Sequence, residues 1–147
     1  MLINSLFASL LLISQSTMID DEFLQLKKKL ENYGFEVRLE ASPVRGSYGL
    51  LQTASKQIWI DPLVFELGIA KPTLIHEAVH AAQYCAGNGK IMALGLTISP
   101  PNVARPFFMG YKHGMRRHLE AEAYAVQTHP DGLDMVISLL AKHCPQK

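Results

Sequence analysis

The stretch Leu74-Ile75-His76-Glu77-Ala78-Val79-His80-Ala81-Ala82 decides how the rest of the chain is read. Its leucine, isoleucine, valine and alanines make a helix that is apolar on nearly every side except the His-Glu edge, and such a helix belongs in a core. Pro72 and Thr73 predict its start, and Gly87-Asn88-Gly89 after Ala86 predicts its end. Residues four apart on a helix differ by about 40° around the axis and ~6 Å along it, so His76 and His80 share one face. Two imidazoles and a carboxylate buried without partners would be costly, whereas a bound cation satisfies all three.

Two helix-borne histidines one turn apart, with a glutamate directly after the first, form a common zinc pair in which the glutamate is the general base. Zinc lowers the pKa of water to about 7, so that Glu77 could take its proton at neutral pH. Catalytic zinc uses three protein ligands and keeps one position open, and the third must come from elsewhere. The residue six after His80 is Ala86 rather than another histidine, which directs the search to carboxylates. Leu119-Glu120-Ala121-Glu122-Ala123-Tyr124-Ala125 supplies two, on a helix predicted from about Gly114 to Gln127. Its alanines are small enough to let it approach the first helix. Glu120 and Glu122 fall on different faces, and spacing leaves both open.

Outward from this centre, Phe23, Leu24, Leu26, Leu30 and Tyr33 recur at helical spacing, with Asp20 or Asp21 able to cap and Gly34 as the stop. Phe35-Glu36-Val37-Arg38-Leu39 alternates with period two and predicts a half-buried strand. Tyr48 to Thr53 and Gln57 to Ile60 predict two more strands, joined as a hairpin across Ala54-Ser55-Lys56. Leu63 to Leu67 predicts a short helical turn. Residues 90–110, with Pro100, Pro101 and Pro106, predict an irregular connection or a short hairpin. A last helix is expected from near Pro130 to about Lys142. The class is α+β, a small antiparallel or mixed sheet packed against the histidine-bearing helix, with further helices C-terminal to it.

His76-Glu77-x-x-His80 followed by Glu120-x-x-Ala123 on a second helix resembles the gluzincin metallopeptidases, in which a helical H-E-x-x-H is completed by a later glutamate. The resemblance covers about Tyr48 to Gln127. It implies a zincin-like fold, a Zn2+ ion held by His76, His80 and Glu120, Glu77 as the catalytic base, and a peptide or protein substrate that pairs with an edge strand. Glu122 is the competing third ligand. Tyr124 stands one turn after Glu120, where some of these families carry an aspartate. Tyr111, His113, Arg116, Arg117 and His118 are candidates to donate to an oxyanion, and each is equally at home on the surface. His129 and His143 read as incidental, and Trp59 as core. The competing function is a protein that holds zinc on the same scaffold without turnover. Against it, structural zinc fills its positions with protein ligands and has no use for Glu77.

The 147 residues, 48% hydrophobic and 18% charged, suit one domain with a real core, taken as residues 18–147. A formal charge of +1 creates no field to gather phosphate, and Lys27-Lys28-Lys29 falls on an amphipathic helix, so no nucleic-acid partner is expected. Residues 1–17 read as a signal peptide or an N-terminal extension. Met1 to Ile13 is mostly apolar, uncharged and too short to span a bilayer, yet it lacks a basic start and an A-x-A cleavage site. Export is slightly favoured over a cytosolic start at Met18. Cys85 and Cys144 are too far apart for a C-x-x-C motif. Cys85 reads as a small buried thiol, and its pairing with Cys144 would require export.

Overall fold

Phe23, Leu26 and Leu30, three and four residues apart, are fully buried and form the inner face of the first helix, α1 (Asp21–Asn32). Asp20 caps it, its side chain accepting from the Glu22 N–H at 3.0 Å. Gly34 ends it with φ at 87°, a left-handed conformation open to glycine at little cost. The computed structural model describes residues 19–146. The expectation for residues 1–17 lies outside the described residues.

Three strands follow, β1 (Glu36–Arg38), β2 (Gly49–Gln52) and β3 (Gln57–Ile60), in the order β1-β3-β2. β1 runs parallel to β3 and β2 antiparallel to it, so the sheet is mixed. The period-two alternation sends Val37, Ile58 and Ile60 into the core while Glu36 faces out. The predicted hairpin is the β2–β3 pair, and β2 is left as an edge strand. Trp59 is half-buried, with the Arg38 guanidinium 4.6 Å from its ring centre.

After the short α2 (Leu63–Glu66), α3 (Ala70–Ala86) carries the decisive stretch. It starts two residues ahead of Pro72, which stays within the first turn, where a missing N–H is tolerated. The connection after α3 is irregular only as far as Pro101. Asn102–Ala104 then forms a 3-10 turn, and α4 (Arg105–Met109) places Pro106 in its own first turn. α5 (Gly114–Gln127) has the predicted bounds, and α6 (Gly132–His143) starts just past Pro130.

α3 is the axis of the molecule, touching α1, α2, α5, α6, β2 and β3. Leu74, Ala78, Val79, Ala81 and Ala82 are fully buried around its circumference, as its all-round apolar character requires. The alanines let α5 come close, and Ala123 is fully buried between them. Among the described residues no helix is long and apolar enough to cross a membrane.

Cys85, in the last turn of α3, is not a free thiol. It forms a disulfide with Cys144 at the end of α6, closing 59 residues of chain. The two cysteines are far apart in sequence, but α3 and α6 pack side by side. In the chain-entropy limit a loop of this length contributes about 4 kcal/mol by restricting the unfolded chain. Replacing both cysteines by serine is therefore expected to lower the unfolding free energy by up to about 4 kcal/mol in urea titrations. Unchanged stability would contradict this role.

Candidate metal centre

One turn of helix brings His76 and His80 together on the face of α3 that meets α5, with their Nε2 atoms 3.2 Å apart. On α5, Glu120, Tyr124 and Gln127 recur at i, i+4 and i+7 and form one stripe towards them. The Glu120 carboxylate reaches both rings, Oε2 lying 3.0 Å from His76 Nε2 and Oε1 3.4 Å from His80 Nε2. The potential ligand atoms of His76, His80 and Glu120 all lie within 4.8 Å of one another. Glu122 does not join them. It lies on another face of α5, where its Oε1 accepts from Gln83 Nε2 and from the Leu94 N–H, and its Oε2 from the Leu96 N–H.

The far side of each ring is held by a glutamine. His80 Nδ1 lies 2.8 Å from Gln83 Oε1, and His76 Nδ1 lies 2.8 Å from Gln127 Oε1. Gln83 is fully buried, and its amide nitrogen donates to the Leu119 carbonyl at 3.0 Å and to Glu122 at 3.1 Å. Both of those partners only accept, so the Gln83 amide has one orientation and its oxygen must face His80. His80 therefore carries its proton on Nδ1 and turns the Nε2 lone pair inward, whereas the Gln127 amide nitrogen has no acceptor among the described residues, so either end of that amide can face His76 Nδ1. The centre thus brings the His80 lone pair, the His76 ring and the Glu120 carboxylate within hydrogen-bonding reach of one another, and a proton or a cation has to lie among them.

A proton is the simplest such charge. Burial disfavours the charged form of His80, but the hydrogen bond to Glu120 and the charges of Glu77 and Glu120 outweigh it and raise the pKa above its ordinary value. Burial likewise pushes Glu120 up, and the bonds and charges of His76 and His80 reverse this, holding it well below the usual carboxylate range. A divalent cation competes for the same place, and two imidazoles with one carboxylate are a donor set that suits zinc.

Glu77 sits beside this cluster without joining it. It is 5% exposed, and its carboxylate accepts no hydrogen bond from any described residue. Its room is made by β2. A Cβ on Gly49 would stand 2.8 Å from Glu77 Oε1 and 3.0 Å from Thr73 Cγ2, so any larger residue there would push Glu77 from its place. Glu77, the two histidines and Glu120 open into a cavity of about 740 Å3 bordered by residues 44–51 on one flank and by Phe107, Tyr111 and Tyr124 on the other.

Of the proposed oxyanion donors, Tyr111 and Arg116 line this cavity, whereas Arg117 and His118 line a separate shallow one and His113 is exposed at the start of α5. The Arg116 Nε lies 3.2 Å from Glu120 Oε1, and its guanidinium packs over Tyr111. Tyr124 meets the His76 ring edge-on with centroids 4.7 Å apart. Burial, then the charge of Glu120, raises its pKa, so its hydroxyl stays protonated. His129 accepts from the Asp131 N–H in the turn before α6, away from the centre.

The two glutamines were not singled out in sequence. Gln83 follows His80 by three residues and Gln127 follows Glu120 by seven, spacings that put each on the face of the ligand candidates. Comparison with models of protein families, with curated proteins and with solved structures finds no match to this chain.

The charges at the centre set a pH dependence for the metal-free protein. His80, with a raised pKa, contributes stability that is complete below its ordinary value of 6.5 and is lost as the pH rises through the folded value. Glu120, with a lowered pKa, contributes stability that is complete above its ordinary value of 4.5 and is lost as the pH falls through the folded value. After treatment with chelator, the melting temperature of wild type minus that of Glu120→Gln should be largest between these two values and shrink at higher pH. A difference that grows steadily with pH would contradict the assignment.

Proposed function

We propose that the protein is a zinc-dependent peptidase on a zincin-like scaffold, hydrolysing peptide bonds with Glu77 as the general base. The observation that carries the reading is the convergence of three potential metal ligands, His76 Nε2, His80 Nε2 and the Glu120 carboxylate, next to a second carboxylate, Glu77, that accepts no hydrogen bond from a described residue. The donor set fits zinc in number and kind, with His76, His80 and Glu120 as ligands. A zinc ion there supplies a Lewis acid that acidifies water to a pKa of about 7 and polarises a carbonyl.

The chain's own residues account for the rest. Glu77 takes a proton on its carboxylate from the attacking water and returns it to the departing amide nitrogen. Gly49 leaves that carboxylate the space to turn between these tasks. β2 offers an edge that no described strand pairs, beside the cavity, where an extended peptide can add as a further strand and bring its carbonyl over the centre. Protonated Tyr124, together with Tyr111 and Arg116, can donate to the oxyanion that develops on that carbonyl. A protein that only held zinc would need neither an unengaged Glu77 nor the glycine that accommodates it.

Purified gently, the chain is expected to carry one zinc ion, with His80→Ala and Glu120→Gln each losing it in elemental analysis. Glu77→Gln should keep the metal yet lose ~100-fold or more of the hydrolytic rate on a peptide library. Gly49→Ala should also keep the metal and lower turnover, because the new methyl group displaces Glu77. Equal cleavage by wild type and Glu77→Gln at matched zinc content would remove Glu77 from the mechanism. Full zinc occupancy with no cleavage of any peptide would favour the zinc-holding protein instead.

A further inference from the structure

Leu119, Glu122, Ala123 and Val126 recur at i, i+3, i+4 and i+7 and form the buried stripe of α5. A glutamate within an apolar stripe is expensive unless every one of its lone pairs has a use. Glu122 finds three donors, Gln83 Nε2 at 3.1 Å, the Leu94 N–H at 2.7 Å and the Leu96 N–H at 3.0 Å. All three only donate at these contacts, so the site calls for a side chain that only accepts. A glutamine in its place would turn an amide nitrogen towards one of them. The side-chain donor belongs to Gln83, the residue that orients His80, and the two backbone donors belong to the connection that leaves α3.

We infer that Glu122 is a positioning residue for the metal centre: through Gln83 it keeps the His80 proton on Nδ1, and through Leu94 and Leu96 it fastens the connection after α3 to the same point. The relay runs from carboxylate to amide to imidazole, with the amide extending the reach of the carboxylate that commonly supports a metal-binding histidine. Its geometry also separates the two histidines. The Gln83 amide is held by two acceptors beyond His80, whereas the Gln127 amide nitrogen makes no hydrogen bond to a described residue, so His80 is the more firmly fixed ligand. The consequence for zinc rests on the function proposed above, while the consequence for the imidazole proton does not.

Two readouts on the full-length chain test this. In chelator-treated protein, at a pH where His80 is neutral, nitrogen-15 NMR of its ring should report the Nδ1–H tautomer in wild type and a mixture in Glu122→Gln and in Gln83→Met. In competition titrations with zinc alone, each variant should bind about tenfold more weakly, and the double variant should be no weaker than either single one. Gln83→Met keeps the test open if Glu122→Gln does not fold. An unchanged tautomer with unchanged zinc affinity, even alongside a lowered melting temperature, would reduce Glu122 to an anchor for the connection and overturn the relay. Additive losses in the double variant would also overturn it, since Glu122 would then act other than through Gln83. If wild type binds no zinc, the proposed function fails, and the tautomer measurement still decides the relay.

Discussion

Hydrogen-bond acceptors cannot share a buried corner unless a proton or a cation lies between them. His76, His80 and Glu120 are held in that position, the His80 lone pair turned inward by Gln83 and the far side of His76 met by Gln127. Much of the structure can be understood as the means of enforcing this arrangement. α3 is packed by its neighbours except along the histidine edge, which opens only into the cavity. α5 lies close because alanines line the contact. The sheet edge presses a glycine rather than a side chain against Glu77. The local cost of gathering these groups is carried by the hydrophobic packing around α3 and by the disulfide that ties its end to α6.

The helices were largely legible in the sequence because their causes are local. Leu74 to Ala82 has an apolar pattern that no exposed helix would carry, and α5 starts and stops at residues whose neighbours signal both ends. The α+β class and the hairpin of β2 with β3 followed from period-two alternation and a short polar link. The parallel pairing of β1 with β3 did not, since strand order depends on how the chain returns and no residue in β1 encodes it. α4 was hidden for a similar reason. Pro106 signals a break in a helix interior, yet in a first turn it is compatible with one.

The site divides along the same line. His76, Glu77 and His80 could be found from spacing, since one helix fixes their relation. Choosing between Glu120 and Glu122 needed the rotation of α5 against α3, a tertiary quantity, and the structure brings Glu120 to the histidines. Gln83 and Gln127 could not be recognised beforehand, because glutamine is common on helices and becomes informative only when its amide is found between an imidazole and a set of acceptors. The disulfide belongs with them. Cys85 and Cys144 carry no local signature, and only the packing of α6 along α3 brings them together.

X-ray absorption at the zinc edge, on protein loaded with one equivalent, tests the central claim most directly. Zinc bound as proposed should give a spectrum with two imidazoles and carboxylate oxygen at about 2.0–2.2 Å, and no sulfur. Failure to retain zinc against a weak chelator, or a spectrum of six oxygens without imidazole scattering, would contradict it and leave the acceptors of this corner to a proton alone.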